Sequence, residues 1–88
     1  MRLLEETQRD VLARLCRIEG QARGVQRMIK ENRDCTDIVR QLAAMRAALG
    51  KVAAAVIAEN LEECARRSAA EGFEEELQQA KQALVEFV

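Results

Sequence analysis

The residues of this 88-residue chain best suited to chemistry are three cysteines, Cys16, Cys35 and Cys64, in a sequence without histidine. Cys64 follows Cys35 by 29 residues. On one continuous helix that spacing corresponds to about 43 Å at 1.5 Å per residue, whereas a disulfide needs Cα atoms within about 7 Å. The two cysteines therefore cannot form a disulfide or share a metal within one chain.

Antiparallel pairing of the helix with a second copy would bring these two thiols together. The midpoint of positions 35 and 64 lies at Leu49 and Gly50. A two-fold axis there would place each Cys35 opposite the partner's Cys64, giving two equivalent two-thiol sites. The helix dipole favours a thiolate at Cys35, in the first turn. Cys64 by itself could also be a small buried apolar residue, and Cys16 is interpreted as a spare surface thiol.

The hydrophobic pattern predicts an all-α protein, and residues 1–88 form a single domain. Helices are predicted over residues 3–30 and 35–67, followed by a short third helix after a break at 68–72. Two long antiparallel helices and a short arm do not close a core. A second copy is therefore expected to complete an antiparallel helical bundle.

Apolar residues recur at three- and four-residue spacings along both long helices. The stripe on the first helix consists of Leu4, Val11, Leu15, Ile18, Ala22, Val25 and Ile29. The seam on the second consists of Ile38, Leu42, Met45, Leu49, Val52 and Val56. Asp34 is predicted to cap the second helix, with Asp37 completing a capping-box-like pair. Gly20 and Gly24 each weaken a helix by about 1 kcal/mol, which predicts that another backbone or a ligand approaches them closely.

Charge is unevenly distributed along the chain. Residues 9–51 hold ten lysines and arginines against five acidic residues, whereas residues 68–88 hold one lysine against five glutamates. A local basic patch can bind a polyanion even when net charge is near zero, although solvated helix faces would show the same pattern. Phosphate contacts are predicted for basic residues of the first two helices, with a glutamine able to reach a base edge or sugar. These candidates are Arg14, Arg17, Gln21, Arg46 and Lys51.

Several classes of protein are disfavoured. Glu5 and Glu6 leave no room for a signal peptide, and no run of about 18 apolar residues is expected to span a membrane, so a cytoplasmic protein is predicted. An odd number of cysteines predicts free thiols in a reducing compartment. The lack of histidine, of a phosphate-binding loop and of a framed carboxylate pair argues against an enzyme. The near-absence of aromatic residues argues against single-strand stacking.

Residues 14–53 read RLCRIEGQARGVQRMIKENRDCTDIVRQLAAMRAALGKVA, and this segment resembles the copper-sensitive operon repressor (CsoR/RcnR/FrmR) family of bacterial transcriptional repressors. The resemblance implies an all-helical antiparallel dimer that pairs into a flat homotetramer. It also implies binding to double-stranded operator DNA through basic residues of the first two helices. The DNA would be released when an inducer occupies a site between protomers.

Departures from the family pattern bear on the inducer. Copper-sensing members have a histidine four residues before the second cysteine, and Asn60 occupies that place here. Copper(I) can be held by two thiolates, but an amide is a poor replacement for imidazole. Those members also tend to have a tyrosine where this chain has Asp34. Nickel and cobalt sensors need several histidines, and formaldehyde sensors rely on a proline where this chain has Arg2.

Two cysteines without the histidine resemble the persulfide-sensing, CstR-like branch of the family. In that branch one thiol attacks a persulfide or polysulfide and the second resolves it into a di-, tri- or tetrasulfide bridge. The resemblance predicts a repressor of sulfur-metabolism or sulfide-detoxification genes that needs no cofactor. The predicted position of Cys35 in the first turn of a helix fits the attacker and Cys64 the resolver, and the reverse assignment stays open. The alternatives are a copper(I)-responsive repressor that uses the same two cysteines, and a structural helical dimer that does not bind DNA.

Overall fold

The computed structural model describes residues 2–67 and 72–88, which form three α-helices. The helices are α1 (Glu5–Lys30), α2 (Cys35–Arg66) and α3 (Phe73–Phe87). The predicted all-α protomer is confirmed, with helix ends within two residues of those expected. Most of the predicted break, residues 68–71, lies outside the described residues.

The connection between α1 and α2 is a short turn with its own capping group. Asn32 takes a left-handed conformation with φ 55°, which allows the chain to reverse. The side chain of Asp34 accepts a hydrogen bond from the backbone N–H of Thr36 at 3.1 Å, so the predicted cap is confirmed. The carboxylate of Asp37 lies 3.9 Å from the guanidinium of Arg40 instead of completing a capping box.

The third helix folds back along α2. Gly72 precedes it with φ 84°, a conformation that glycine adopts without strain. In the first turn of α3, both oxygens of Glu76 accept hydrogen bonds from Arg67 Nη1 at 2.9 Å. At the other end of α3, Phe87 reaches Leu49 in the middle of α2, where both line the same cavity. The central helix α2 thus packs against α1 and α3.

The protomer is a single layer of helices. It measures 56 × 25 × 13 Å, and the smallest dimension is close to the diameter of one helix, about 10–12 Å. Its radius of gyration is 17.1 Å, compared with about 12 Å for a compact domain of this length. It exposes 6942 Å², where a compact monomer of this mass exposes about 5,200 Å². The excess surface indicates that another chain completes the structure.

The core is correspondingly small. Val11, Ile18 and Val52 form its buried centre. Half-buried residues of α2 surround this centre, namely Met45, Ala48, Ala55 and Val56. The predicted stripe and seam are therefore only partly covered, since Leu42 and Leu49 stay 48% and 42% exposed. Each long helix uses one edge of its apolar face within the protomer and leaves the rest open.

The glycines of the long helices do not mark a close contact within the protomer. Among the described residues of the protomer, a Cβ atom built at Gly20, Gly24 or Gly50 would meet nothing within 4 Å. No backbone of this part of the protomer therefore makes the close approach expected at Gly20 and Gly24, and an approach by a ligand or another chain stays a prediction. The crossing expected at Gly50 involves a second copy and stays a prediction.

The expectation that no apolar segment is long enough to span a membrane is wrong for α2. By length and composition α2 is apolar enough to cross a membrane, because an 18-residue window within it reaches a mean hydropathy of 1.4. A core helix of a soluble protein meets the same criteria, so this single helix is weak evidence for a membrane span. The many alanines of α2 raise its hydropathy, and a packed partner helix accounts equally well for its apolar face.

Candidate sensor site and DNA-binding surface

The two candidate sensor cysteines lie at opposite ends of one unbroken helix. Cys35 is the first residue of α2, and Cys64 lies two residues before its end at Arg66. All three cysteines are free thiols, and Cys16 and Cys35 are exposed. The continuity of α2 rules out a bridge between Cys35 and Cys64 within one chain, as the sequence predicted. Their meeting across two protomers stays a prediction.

Cys64 is covered within its own protomer, with only 3% of its surface exposed. Glu59 hydrogen bonds to Leu4, just before α1 begins. Cys64 lies five residues further along α2, about 7.5 Å past that point. Beyond Cys64, Arg67 is bound to Glu76 of α3. Cys64 thus lies at the end of the molecule where α3 joins α2, and a partner thiol needs a local opening to reach it.

Asn60, at the position where copper sensors have histidine, is half-buried on α2. It lines a cavity of about 190 Å³ between α2, α3 and the segment before α1. The other lining residues are Leu3, Val56, Glu76, Gln79, Ala80 and Ala83. Within residues 2–67 and 72–88 of one protomer, no three histidine, cysteine or acidic side chains come together to hold a metal ion.

Glu59 is a buried polar residue that was not predicted from the sequence. It is 7% exposed, and its carboxylate accepts hydrogen bonds from the backbone N–H of Leu4 at 2.8 Å and from the hydroxyl of Thr7. A signal was available, because the 4-3 spacing of the α2 seam continues past Val56 to position 59. A carboxylate on an apolar seam indicates a specific buried partner.

Four of the five predicted DNA-binding residues surround one groove. Arg14, Arg17 and Gln21 of α1 face Lys51 of α2 across a cavity of about 380 Å³. Its floor is formed by small and apolar residues, Ile18, Ala44, Ala47 and Ala48. The fifth candidate, Arg46, lines a different cavity with Leu49, Gly50 and the C-terminal residues.

The cationic groups of this groove are close to the surface. Arg14 Nε lies 3.1 Å from the carboxylate of Asp10 one turn earlier, in an exposed pair. Exposed pairs of this kind contribute at most about 1 kcal/mol, so a phosphate can compete for the guanidinium. The arrangement is suited to binding a polyanion along α1 and α2.

An all-α protomer with an open apolar face, a basic groove and cysteines at both ends of its central helix is typical of a small oligomeric regulator of transcription. A family model described as metal-sensitive transcriptional repressor matches residues 7–86. The chain belongs to this family, which confirms the family resemblance seen in the sequence.

Individual relatives agree with this assignment. The chain is 46% identical over 59 residues to the copper-sensing transcriptional repressor RicR of Mycobacterium tuberculosis, covering 67% of this chain and 62% of RicR. It is 43% identical over 51 residues to the copper-sensing repressor CsoR of Bacillus subtilis, covering 58% of this chain and 50% of CsoR. The chain thus spans only about half to three-fifths of these curated relatives.

Solved structures extend the likeness over nearly the whole fold. The copper-sensing repressor CsoR of Geobacillus thermodenitrificans with Cu(I) superposes with a TM-score of 0.89 at 32% identity, covering 99% of this chain and 92% of that one. The nickel-responsive transcriptional regulator InrS gives a TM-score of 0.80 at 44% identity, covering 91% of each chain.

Members of this family are transcriptional repressors and not enzymes, as the sequence predicted.

Proposed function

We propose that this protein is a cytoplasmic, operator-binding repressor that senses persulfides and polysulfides through Cys35 and Cys64 of the partner subunit. The observation that carries the proposal is the pair of free thiols at the two ends of an unbroken α2, with Asn60 where a third metal ligand would be needed. The ligands offered to a soft metal would be two thiolates and the amide of Asn60, and an amide is a poor ligand for such a metal. Thiol exchange, in contrast, needs only the two cysteines.

The reaction starts at the exposed thiol. With a hydrogen tetrasulfide anion as oxidant, the sulfur of Cys35 attacks a terminal sulfur, an S–S bond breaks, and a trisulfide anion leaves. Cys35 then carries a persulfide. The thiol of Cys64 of the partner subunit attacks the Cys35 sulfur, and hydrogen sulfide leaves with both protons. Two thiols are oxidised to a disulfide and one sulfane sulfur is reduced to sulfide. When Cys35 carries a longer sulfur chain, the Cys64 thiol instead attacks the sulfur next to the terminal one, the terminal sulfur leaves as hydrogen sulfide, and a tri- or tetrasulfide bridge remains.

The burial of Cys64 sets the order of these steps. Sulfur adds first to Cys35, because Cys64 is covered in its own protomer. The second step requires local opening where α3 joins α2, and the bridge then holds the opened arrangement at both ends of the dimer. A covalent change at both ends alters the placement of the basic groove residues, Arg14, Arg17, Gln21 and Lys51. DNA affinity falls because the bridged state fits the operator less well.

A second candidate is a copper(I)-responsive repressor, and it is favoured by the relatives. Two curated relatives and one solved structure are named as copper-sensing. In this alternative Cys35 and Cys64 of the partner subunit would hold copper(I) as a two-thiolate site.

Arg46 adds to the DNA surface in either case, and a dimer of dimers presents the basic grooves together.

The test treats reduced protein with sodium tetrasulfide and follows three readouts: intact mass, a non-reducing gel, and a gel shift with operator DNA. Covalent dimers and a loss of DNA affinity are expected, and the intact mass shows added sulfur when the bridge is a tri- or tetrasulfide. Cys35→Ala is expected to abolish the response, whereas Cys64→Ala leaves sulfur uptake without the Cys35–Cys64 bridge. Cys16→Ala is the matched control and is expected to behave as the original protein.

A copper(I) titration against a competing chelator separates the two candidates. Weak copper binding with no release of DNA is expected. Tight stoichiometric binding that releases DNA would favour the copper candidate. Crosslinking that survives loss of Cys35, or a mapped bridge through Cys16, would contradict the sulfur candidate. Failure to bind any duplex DNA would leave the structural dimer as the better description.

A further inference from the structure

Glu59 is a charged residue in a position where charge is costly. It is nine-tenths buried, and no salt bridge reaches it from the described residues, 2–67 and 72–88. Its carboxylate is instead satisfied by the N–H of Leu4 and the hydroxyl of Thr7. An unpaired buried carboxylate is strongly destabilising, so these two hydrogen bonds hold this turn of α2 and the start of α1 together.

The contact also supplies something that α1 lacks. Leu4, the residue at the cap position, offers no side-chain acceptor to the free N–H groups of the first turn. From a different helix, Glu59 accepts the N–H of the cap residue Leu4 and places its negative charge at the positive end of the α1 dipole; this contact is the cap that Glu59 provides. Most helix caps are local in sequence, whereas this one joins residues 55 positions apart.

The position of this cap connects the two functional regions. Glu59 is adjacent to Asn60 and about 7.5 Å along α2 from Cys64. On the other side, Arg14 and Arg17 follow Thr7 on α1 by about two and three turns. A displacement of the last turns of α2 therefore acts on the first turn of the helix that carries much of the basic groove.

We infer that Glu59 is a positioning residue that couples the cysteine end of α2 to the DNA-binding face of α1 through Leu4 and Thr7. This inference rests on the proposed repressor function but not on the identity of the inducer. When the end of α2 opens around Cys64, the carboxylate moves or rotates, and the start of α1 follows it or loses its cap. Without the carboxylate, the cysteines still react with the inducer and the groove still binds DNA, but the reaction no longer changes the DNA affinity.

The mildest test is Thr7→Val, which removes the hydroxyl and keeps the shape of the side chain, with Thr7→Ser as the conservative rescue. The readout is the ratio of operator affinities before and after tetrasulfide treatment, using an operator selected from random duplex DNA. Thr7→Val should lower this ratio from the range typical of allosteric coupling, about 5–150-fold, toward one. Sulfur uptake at Cys35 and the affinity of the reduced protein should stay close to the original values, and Thr7→Ser should restore the ratio.

Glu59→Gln and its matched control Glu62→Gln extend the test. Glu62 is an exposed glutamate on the same helix. An amide at position 59 offers one oxygen to two donors, so it should weaken coupling, while the change at position 62 should leave it intact. The affinity ratios of Glu59→Gln and Glu62→Gln are compared once circular dichroism and self-association show that the Glu59 variant keeps its helices and its assembly.

A second readout is independent of sulfur chemistry. Coupling is reciprocal, so operator DNA should slow alkylation of Cys64 by iodoacetamide in the original protein, and Thr7→Val should remove this effect. Protection of Cys64 by DNA together with no response to tetrasulfide would reject the proposed inducer and keep the coupling. An unchanged affinity ratio and unchanged protection in both Thr7→Val and Glu59→Gln would overturn the inference and leave Glu59 a stabilising residue only.

Discussion

Gly50 gives the sharpest test of how two protomers meet, because the protomer and the dimer predict opposite effects of one methyl group. In the protomer a Cβ at Gly50 meets nothing within 4 Å, and the residue lies inside α2. Alanine is favoured over glycine in a helix interior by about 0.8–1.0 kcal/mol. Gly50→Ala should therefore stabilise the isolated protomer by about that amount.

The dimer proposed from the cysteine spacing has its two-fold axis near this glycine. Symmetry then places two new methyl groups at one helix crossing. Overpacking of a close contact costs about 1–3 kcal/mol, which corresponds to a dimer dissociation constant about 5- to 150-fold higher. The predicted signature is thus a weaker dimer built from more stable helices.

Sedimentation equilibrium over a range of concentrations measures the association, and urea unfolding at matched concentrations separates folding from association. Gly20→Ala is the control, because that glycine is exposed on α1 with equal free space around it. It should give the helix gain without weakening the dimer. A Gly50→Ala protein that associates as tightly as the original would refute a crossing at this position, and with it the proposed register of Cys35 against Cys64 of the partner subunit.

The remaining predictions concern DNA binding, copper(I) binding and the accessibility of the Cys64 thiol. Arg17→Ala should weaken operator binding on all sequences and reduce the slope of affinity against salt by about one for each phosphate that is no longer neutralised, with unchanged circular dichroism; an unaltered slope would place the DNA surface elsewhere. Asn60→His should strengthen copper(I) binding in a chelator competition, and no change would mean that this side chain does not face the two-thiol site. Glu76→Gln removes one partner of the half-exposed Arg67–Glu76 ion pair, which is worth at most about 1 kcal/mol. Alkylation of the buried Cys64 by iodoacetamide should therefore accelerate by about threefold to fivefold. An unchanged rate would show that this ion pair does not limit access to Cys64.

The fold was largely predictable because the relevant signals are local. The spacing of Val11, Ile18 and Val52 with their neighbours defines the helix faces, and Asp34 and Gly72 mark where helices begin. These features depend on interactions within a few residues of the chain. The sequence could not show which part of each apolar face is used within the protomer, because Leu42 and Val52 follow the same spacing and only the second is buried.

The site was only partly predictable. The grouping of Arg14, Arg17, Gln21 and Lys51 around one groove needs only the register of two adjacent helices. The burial of Cys64 and the cap made by Glu59 depend on where α1 begins relative to the end of α2, a long-range arrangement that no local pattern specifies. Arg46 shares the charge of the groove residues but lies by a different cavity, since each single residue step rotates the side-chain direction by about 100° around the helix.

A protomer only 13 Å thick has consequences for how much repressor a cell contains. If pairing covers the apolar face of α2 as proposed, the well-folded form is the product of a second-order reaction between chains. Its amount would then rise with roughly the square of chain concentration when dimer is scarce, so repression would set in over a narrower range of gene expression than for a monomer. Unpaired chains, in which Leu42 and Leu49 are exposed, would then be more open to proteases, and this would sharpen the threshold further.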